Sequence, residues 1–302
     1  MEYTGLLRSY SINRPLSKSD HTYQIHQKTR LDISLSYELS VIKFNSNHME
    51  VIDKFFKWKG GITTICTLLL LGIFTLLLIT AHGAIFTCPD EPEAWALLLF
   101  GMAITSPLIW LLFKSIRKEI NYTHYPIRLD RNNNKIHVFR QNGSTLSADW
   151  NAIFFTLSKV TGNHWEIQGH ILKPDNITII ETFSFCSLEV GEEGRKACYH
   201  YWEFLRRYME EGPQSVVNEI KAILPIPPQK HDFTWMVNGF IFTFGNNGLG
   251  LLTTLVYIII TIPGRWLAMR YSKIPHWPKE IEEQSPIQPN DPYFRDATSN
   301  PK

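Results

Sequence analysis

The sequence predicts a membrane protein of α+β class. It has a two-helix transmembrane hairpin, a cytoplasmic antiparallel β domain closed by an amphipathic helix, and a broken C-terminal intramembrane or interfacial helix. Three observations predict it. Two apolar runs between Gly61 and Phe113 carry no Asp, Glu, Lys or Arg and are separated by the polar break Thr87–Ala94; each approaches the roughly 20 residues a helix needs to cross a bilayer. Short alternating segments recur about every ten residues between positions 121 and 185, the signature of antiparallel strands. After them, Cys198, Tyr201, Trp202, Leu205, Tyr208 and Met209 recur at helical spacing.

Taken in order, residues 1–57 form an N-terminal cytoplasmic segment. Its start has no apolar core after a basic head, so the first membrane helix is expected to serve as signal anchor. Leu31 to Phe44 alternates apolar and polar residues and reads as a strand or two. From Ser46, the spacing of Met49, Ile52, Phe55 and Phe56 suggests a short amphipathic helix running up to Gly60-Gly61. Residues 58–118 are the hairpin. Lys54, Lys57 and Lys59 precede its first helix, Lys114, Arg117 and Lys118 follow its second, and its loop carries Asp90, Glu91 and Glu93. Basic flanks stay in the cytoplasm, so both open ends are expected to point inward and only the Cys88–Glu93 loop to reach the far side. Trp58, Trp95 and Trp110 fall near the expected interfaces, where indole rings prefer to sit. The six basic residues are candidate contacts for anionic headgroups.

Residues 119–223 make up the β-rich domain. Asn142-Gly143 is a hairpin signal, because the tight turn it favours needs positive φ. Five or six strands are expected to form one sheet that curls on itself. The helix from Glu192 to Glu211 closes the domain and stops at Gly212-Pro213. Its polar residues, Glu203 and Arg206 among them, are expected away from the core. This order of elements resembles a pleckstrin-homology-type sandwich, a likeness that does not fix function. Residues 224–232 form a Pro-rich linker, 233–268 a third membrane-associated zone interrupted by Asn and Gly, and 269–302 a polar Pro-rich tail. The third zone reads as a re-entrant hairpin or as a third span.

The net charge of +2 gives no reason to expect nucleic acid. Cys66, Cys88, Cys186 and Cys198 are expected to stay unpaired, since no two share an oxidising compartment. No catalytic, cofactor-binding or metal-ligating constellation is legible: there is no nucleophile elbow, phosphate loop or His-Glu-x-x-His pattern. His164 and His170 share a strand face but lack a third ligand. Tyr199, His200 and Trp202 form an aromatic cluster that could serve as a partner face.

Gly264-Arg-Trp-Leu-Ala-Met-Arg270, Ser272-Lys-Ile-Pro275, Trp277-Pro278 and Pro289-Asn-Asp-Pro-Tyr293 resemble the C-terminal signature of an uncharacterised proteobacterial inner-membrane family. Met49-Glu-Val-Ile-Asp53, Trp58-Lys59-Gly60 and Tyr208-Met-Glu-Glu-Gly-Pro213 resemble it more loosely. Genes of that family are often found beside type VI secretion effectors. The resemblance implies an inner-membrane, non-enzymatic interaction protein of immunity or accessory type, with membrane lipid and a protein partner such as a cognate toxin. A lipid-responsive scaffold is the alternative, and a component of a pore or carrier a weaker one.

Overall fold

A computed structural model describes residues 4–160, 163–224, 226 and 262–300. The Pro-rich linker and most of the third apolar zone lie outside the described residues. The chain forms two units: one comprises residues up to Trp58, from Tyr122 to Gln229 and from Ile274 onward, the other Lys59–Asn121 and Lys230–Lys273.

Among the described residues, the first unit contains ten strands, with a short helix, α1 (Lys18–Thr22), between the first two. One sheet runs β1 (Arg14–Pro15), β10 (Thr178–Val190), β9 (His164–Leu172), β8 (Phe154–Lys159) and β2 (Gln24–Ile25). The second runs β3 (Val41–Phe44), β4 (His48–Val51), β5 (Ile127–Asp130), β6 (Lys135–Phe139) and β7 (Thr145–Asp149). Of the five or six strands expected between 121 and 185, six form, β5 to β10, but they divide into two sheets instead of one curled sheet. The reason is at Trp150–Ala152, where a 3-10 turn capped by Asp149 carries the chain from β7 into β8. Trp150 is fully buried there. Its ring stacks on Trp202 at 5.5 Å between centroids, and Phe155 meets Trp202 at 4.7 Å. Three aromatic side chains thus join β8 and the closing helix. Gly143 turns β6 into β7 at φ +86°, while Asn142 stays at negative φ and accepts from the Ser144 N–H at 2.9 Å.

Two local expectations are corrected. Residues 46–58 form β4 and a 3-10 turn instead of an amphipathic helix. Met49 and Val51 alternate inward and pair in register with Leu129 and Ile127, so tertiary strand pairing overrides the weak helical spacing. The alternation at 31–44 yields only β3; residues 26–40 instead drape over α4 (Gly191–Glu211). Leu31 N–H donates to Glu203 at 3.2 Å, Arg207 to the Leu31 and Ile33 carbonyls, and Arg206 and Arg207 both pair with Glu203. Glu203 and Arg206, expected on a solvated face, are therefore buried. Buried carboxylates persist when each oxygen is bonded, and here both are.

The second unit holds α2 (Gly61–His82), which continues as a π-helical turn to Thr87, and α3 (Pro92–Glu119). Both are long and apolar enough to cross a membrane; 27 residues at about 1.5 Å rise give ~40 Å, against an apolar layer of about 30 Å. Their backbone polarity is satisfied internally, as an apolar surrounding requires. Thr75, Thr105 and Ser115 donate to carbonyls four residues back. Pro107 cannot donate to the Ala103 carbonyl, and the Ser106 hydroxyl takes its place at 3.1 Å. Glu119, at the end of α3, caps the start of α2: its carboxylate accepts from Gly60 N at 2.9 Å and from Thr63 N and Oγ1 at 2.6 Å. A carboxylate at a helix N-terminus also complements the macrodipole.

Residues 262–271 are helical, and Gly264 seats this helix against the start of α2. A Cβ there would meet Thr64 Oγ1 at 2.0 Å and the Gly60 carbonyl at 2.6 Å. Backbone cannot retreat as a flexible side chain can, so Gly264→Val is expected to destabilise this unit by about 2–3 kcal/mol. Faster proteolysis at residues 262–271 in detergent is the readout, and wild-type resistance would contradict the packing.

Candidate functional site

The inward face of the second sheet is apolar, with Met49, Val51, Ile127, Leu129 and Ile136 in the core. Strand alternation places the polar residues on the other face. There, strand register aligns Lys43, Glu50, Arg128, His137 and Ser147 in one row across all five strands. Beside it lies a second row, His48, Asp130, Lys135 and Asp149. Directly opposed residues sit close enough to interact, so such rows act as units.

The first row is tightly tied. Arg128 donates to Glu50 from Nε at 2.9 Å and Nη2 at 2.6 Å. His137 Nδ1 and the Ser147 hydroxyl lie 2.7 Å apart. Burial works to raise the Glu50 pKa, but the Lys43 and Arg128 charges override it and hold the carboxyl below its usual range. Asp130, in the second row, is likewise buried, yet the nearby His137 ring at 3.6 Å and hydrogen bonds from Asn133 and Ser285 bring it down to about 2. At His48 burial prevails. Burial, helped by the Arg128 charge, pushes it down to about 4, so its ring is neutral at pH 7.

A segment from the C-terminal end of the chain lies across this face. Trp277 packs over the Arg128 guanidinium, 5.0 Å from the ring centroid, a cation–π geometry. Arg128 also donates to the Ile281 carbonyl at 3.3 Å. The Ser285 hydroxyl donates to Asp130. Asn47 donates to the Pro286 carbonyl at 2.7 Å, and Ser46 donates to Asp291 from both N and Oγ at 2.8 Å. Finally, Phe44 and Arg295 exchange backbone bonds at 3.0 and 2.8 Å, which extends the β3 edge. The polar tail is thus a strap on the sheet. Chemically, the face holds this partly helical segment (helix Lys279–Gln284) through an aromatic over a cation, side-chain donors on carbonyls and a carboxylate on a turn. Among the described residues, no three His, Cys, Asp or Glu side chains are grouped to hold a metal.

The sequence-predicted site residues are dispersed. Lys54 and Lys59 are buried, which corrects their assignment as headgroup contacts. Lys54 pairs with Glu166 at 2.5 Å. Lys59 donates to the Glu119 carbonyl. Lys57 falls in the Phe56–Trp58 turn. Lys114, Arg117 and Lys118 are exposed along the end of α3, with Lys114 over the Trp110 ring at 4.7 Å. Trp202 is core instead of partner face. Tyr199 is half-buried, and His200 Nδ1 lies 2.6 Å from the Ser34 carbonyl, under the 26–40 segment. The row from Lys43 to Ser147 was not singled out from sequence. Its signal was the polar member of each alternating pair in His48–Val51, Ile127–Asp130 and Lys135–Phe139, charged or His nearly every time.

No curated protein and no solved structure matches the chain. Residues 105–289, which take in most of α3, strands β5 to β10, α4 and the start of the strap, match the model of DUF6708, a family of unknown function. That match covers more than half of the chain, which therefore belongs to the DUF6708 family.

Proposed function

We propose that the protein is a non-enzymatic interaction protein anchored in the bacterial inner membrane, and that its sheet unit binds a protein partner at that membrane. One observation supports this reading: the charged row of the second sheet is held in strand register and engages a polypeptide segment, residues 274–300, part helical (Lys279–Gln284) and part irregular. The partner is a cognate toxin of a type VI secretion effector, and the protein acts as its immunity or accessory factor. Cells carrying the adjacent effector gene are expected to survive with this protein and die without it; equal killing overturns the immunity role.

The basic flanks of the hairpin and its acidic loop favour a sheet unit on the cytoplasmic side. Asn176 provides a natural reporter. It is exposed in the β9–β10 turn and begins an Asn-Ile-Thr acceptor sequence. Translation into endoplasmic-reticulum microsomes is expected to leave Asn176 without glycan. A glycan removed by Asn176→Gln would reverse the orientation.

A lipid-responsive scaffold is a second reading, supported by Lys114, Arg117 and Lys118, which are exposed together. Indifference of the reconstituted protein to anionic lipid would remove it.

A further inference from the structure

Four buried side-chain polar atoms on or beside the strapped face lack a hydrogen-bond partner among the described residues: Asn45 Nδ2, His48 Nδ1, His48 Nε2 and His137 Nε2. Each of these residues is nine-tenths or more buried. The nearest charges do not satisfy them: His48 Nε2 is 3.9 Å from Glu50 and His137 Nε2 is 3.6 Å from Asp130. A buried polar group left unmade costs about 1–3 kcal/mol, and folded proteins keep few of them. Here they concentrate under one segment, so the strap covers the face without meeting its hydrogen-bonding capacity. The strap's own contacts indicate what the face accepts. It meets the face with the Trp277 ring over Arg128, the Ile281 and Pro286 carbonyls and the Asp291 carboxylate, while Glu280, Glu282 and Glu283 are exposed.

We propose that residues 274–300 are a displaceable strap over a peptide-binding face, and that a segment of a partner protein bearing an aromatic residue and a carboxylate takes its place. The incoming aromatic covers Arg128, and the segment's carboxylate and carbonyls accept from His48, His137 and Asn45. This rests on the partner-binding reading above. Because the strap is attached to the chain, it competes at an effective concentration of about millimolar, so the face stays closed until a better-matched segment arrives.

Two measurements on the full-length protein in detergent test this. In hydrogen exchange, the Arg295, Ile281 and Glu282 amides of the strap are expected to exchange at least tenfold faster than the β5 and β6 amides beneath, through an opening that leaves the sheet intact. Exchange of both sets at one rate overturns the proposal. The second measurement uses a fluorescent synthetic peptide of residues 274–300. It is expected to bind Trp277→Ala at least tenfold more tightly than it binds a Ser46→Cys, Asp291→Cys pair oxidised to lock the strap shut. Ser285→Ala serves as the loosened variant if Trp277→Ala loses sheet protection. Equal binding to loosened and locked chains overturns the proposal. Dimerisation of the loosened chain that saturates the face would assign it to a second copy and also overturn it. Neither arm involves an effector. Failure to protect cells therefore removes the functional reading and leaves the strap standing, whereas uniform exchange removes the strap whatever the effector does.

Discussion

Glu166→Ala is expected to destabilise the sheet unit by about 3–5 kcal/mol, because it leaves the Lys54 ammonium buried without its counter-charge. Both side chains are almost fully enclosed, at 3% and 1% exposure, and their atoms approach to 2.5 Å. The surroundings are built around the pair. Gln168 donates to Glu166 at 2.7 Å, Tyr10 donates to it at 3.3 Å, and the Tyr10 and Phe55 rings lie 5.2 and 5.3 Å from the Lys54 nitrogen. Burial by itself would push Lys54 toward neutrality, but the Glu166 charge overrides it and holds the lysine above its usual range. The double variant Lys54→Met, Glu166→Leu separates loss of a counter-charge from loss of packing. Replacing both partners of a buried pair with apolar groups of similar volume is often neutral or stabilising. The single variant is therefore expected to fall well below wild type, and the double to recover most of the loss. Denaturant unfolding followed by the fluorescence of Trp150 and Trp202 reads this directly, since both are buried in the core of the same unit. A double variant as weak as the single one would show that the cost lies in packing and contradict the assignment.

The same pair illustrates what the sequence could and could not reveal. Lys54 was legible as a basic residue just ahead of an apolar helix, a position that elsewhere marks a topology signal. Its partner lies 112 residues away on β9, and no local pattern links the two. Patterns that depend on near neighbours were readable: the apolar runs of α2 and α3, the alternation of β5 to β10, and the stripe of α4 ending at Gly212. Patterns that depend on distant packing were not. Met49 and Phe55 carried a helical spacing, yet Met49 went into β4 because β3 and β5 flank it on both sides. Glu203 and Arg206 looked solvated until residues 26–40 folded over them. The polar row had the same difficulty. Each member was visible as the outward residue of a strand, but the alignment of Lys43 with Ser147 requires the register of five strands at once. The strap was visible only as a polar tail, because nothing in Trp277 or Asp291 specifies which surface it meets.

Acidification from pH 6.5 to 4 is expected to remove several kcal/mol of stability, and His48 to account for about half of the histidine share. His48 and His170 lie in different sheets, 2% and 0% exposed, and burial pushes each down to about 4. Arg128 assists at His48, while the Asp20 carboxylate opposes the shift at His170. The sign follows from proton binding. Between pH 6.5 and 4 the unfolded chain carries protons on these rings and the folded chain does not, so stability rises with pH across that window. It is lost as pH falls through the unfolded value near 6.5, and the loss is complete near 4. A depression of roughly 2.5 units corresponds to ~3 kcal/mol per histidine at about 1.36 kcal/mol per unit. Asp130, held at about 2, belongs to a separate and lower window. Its contribution is kept down to the ordinary carboxyl value near 4 and lost only below it, so the two effects do not overlap. His48→Phe tests the assignment without creating a new orphan, because neither ring nitrogen of His48 has a partner to leave behind. At pH 7 the variant is expected to be close to wild type in stability, since removing an unbonded buried polar group costs little. Between pH 6.5 and 4 its unfolding midpoint is expected to fall about half as steeply as that of wild type. An unchanged slope would mean that His48 becomes protonated in the folded protein near its ordinary value, which the closed environment of the strapped face would then not explain.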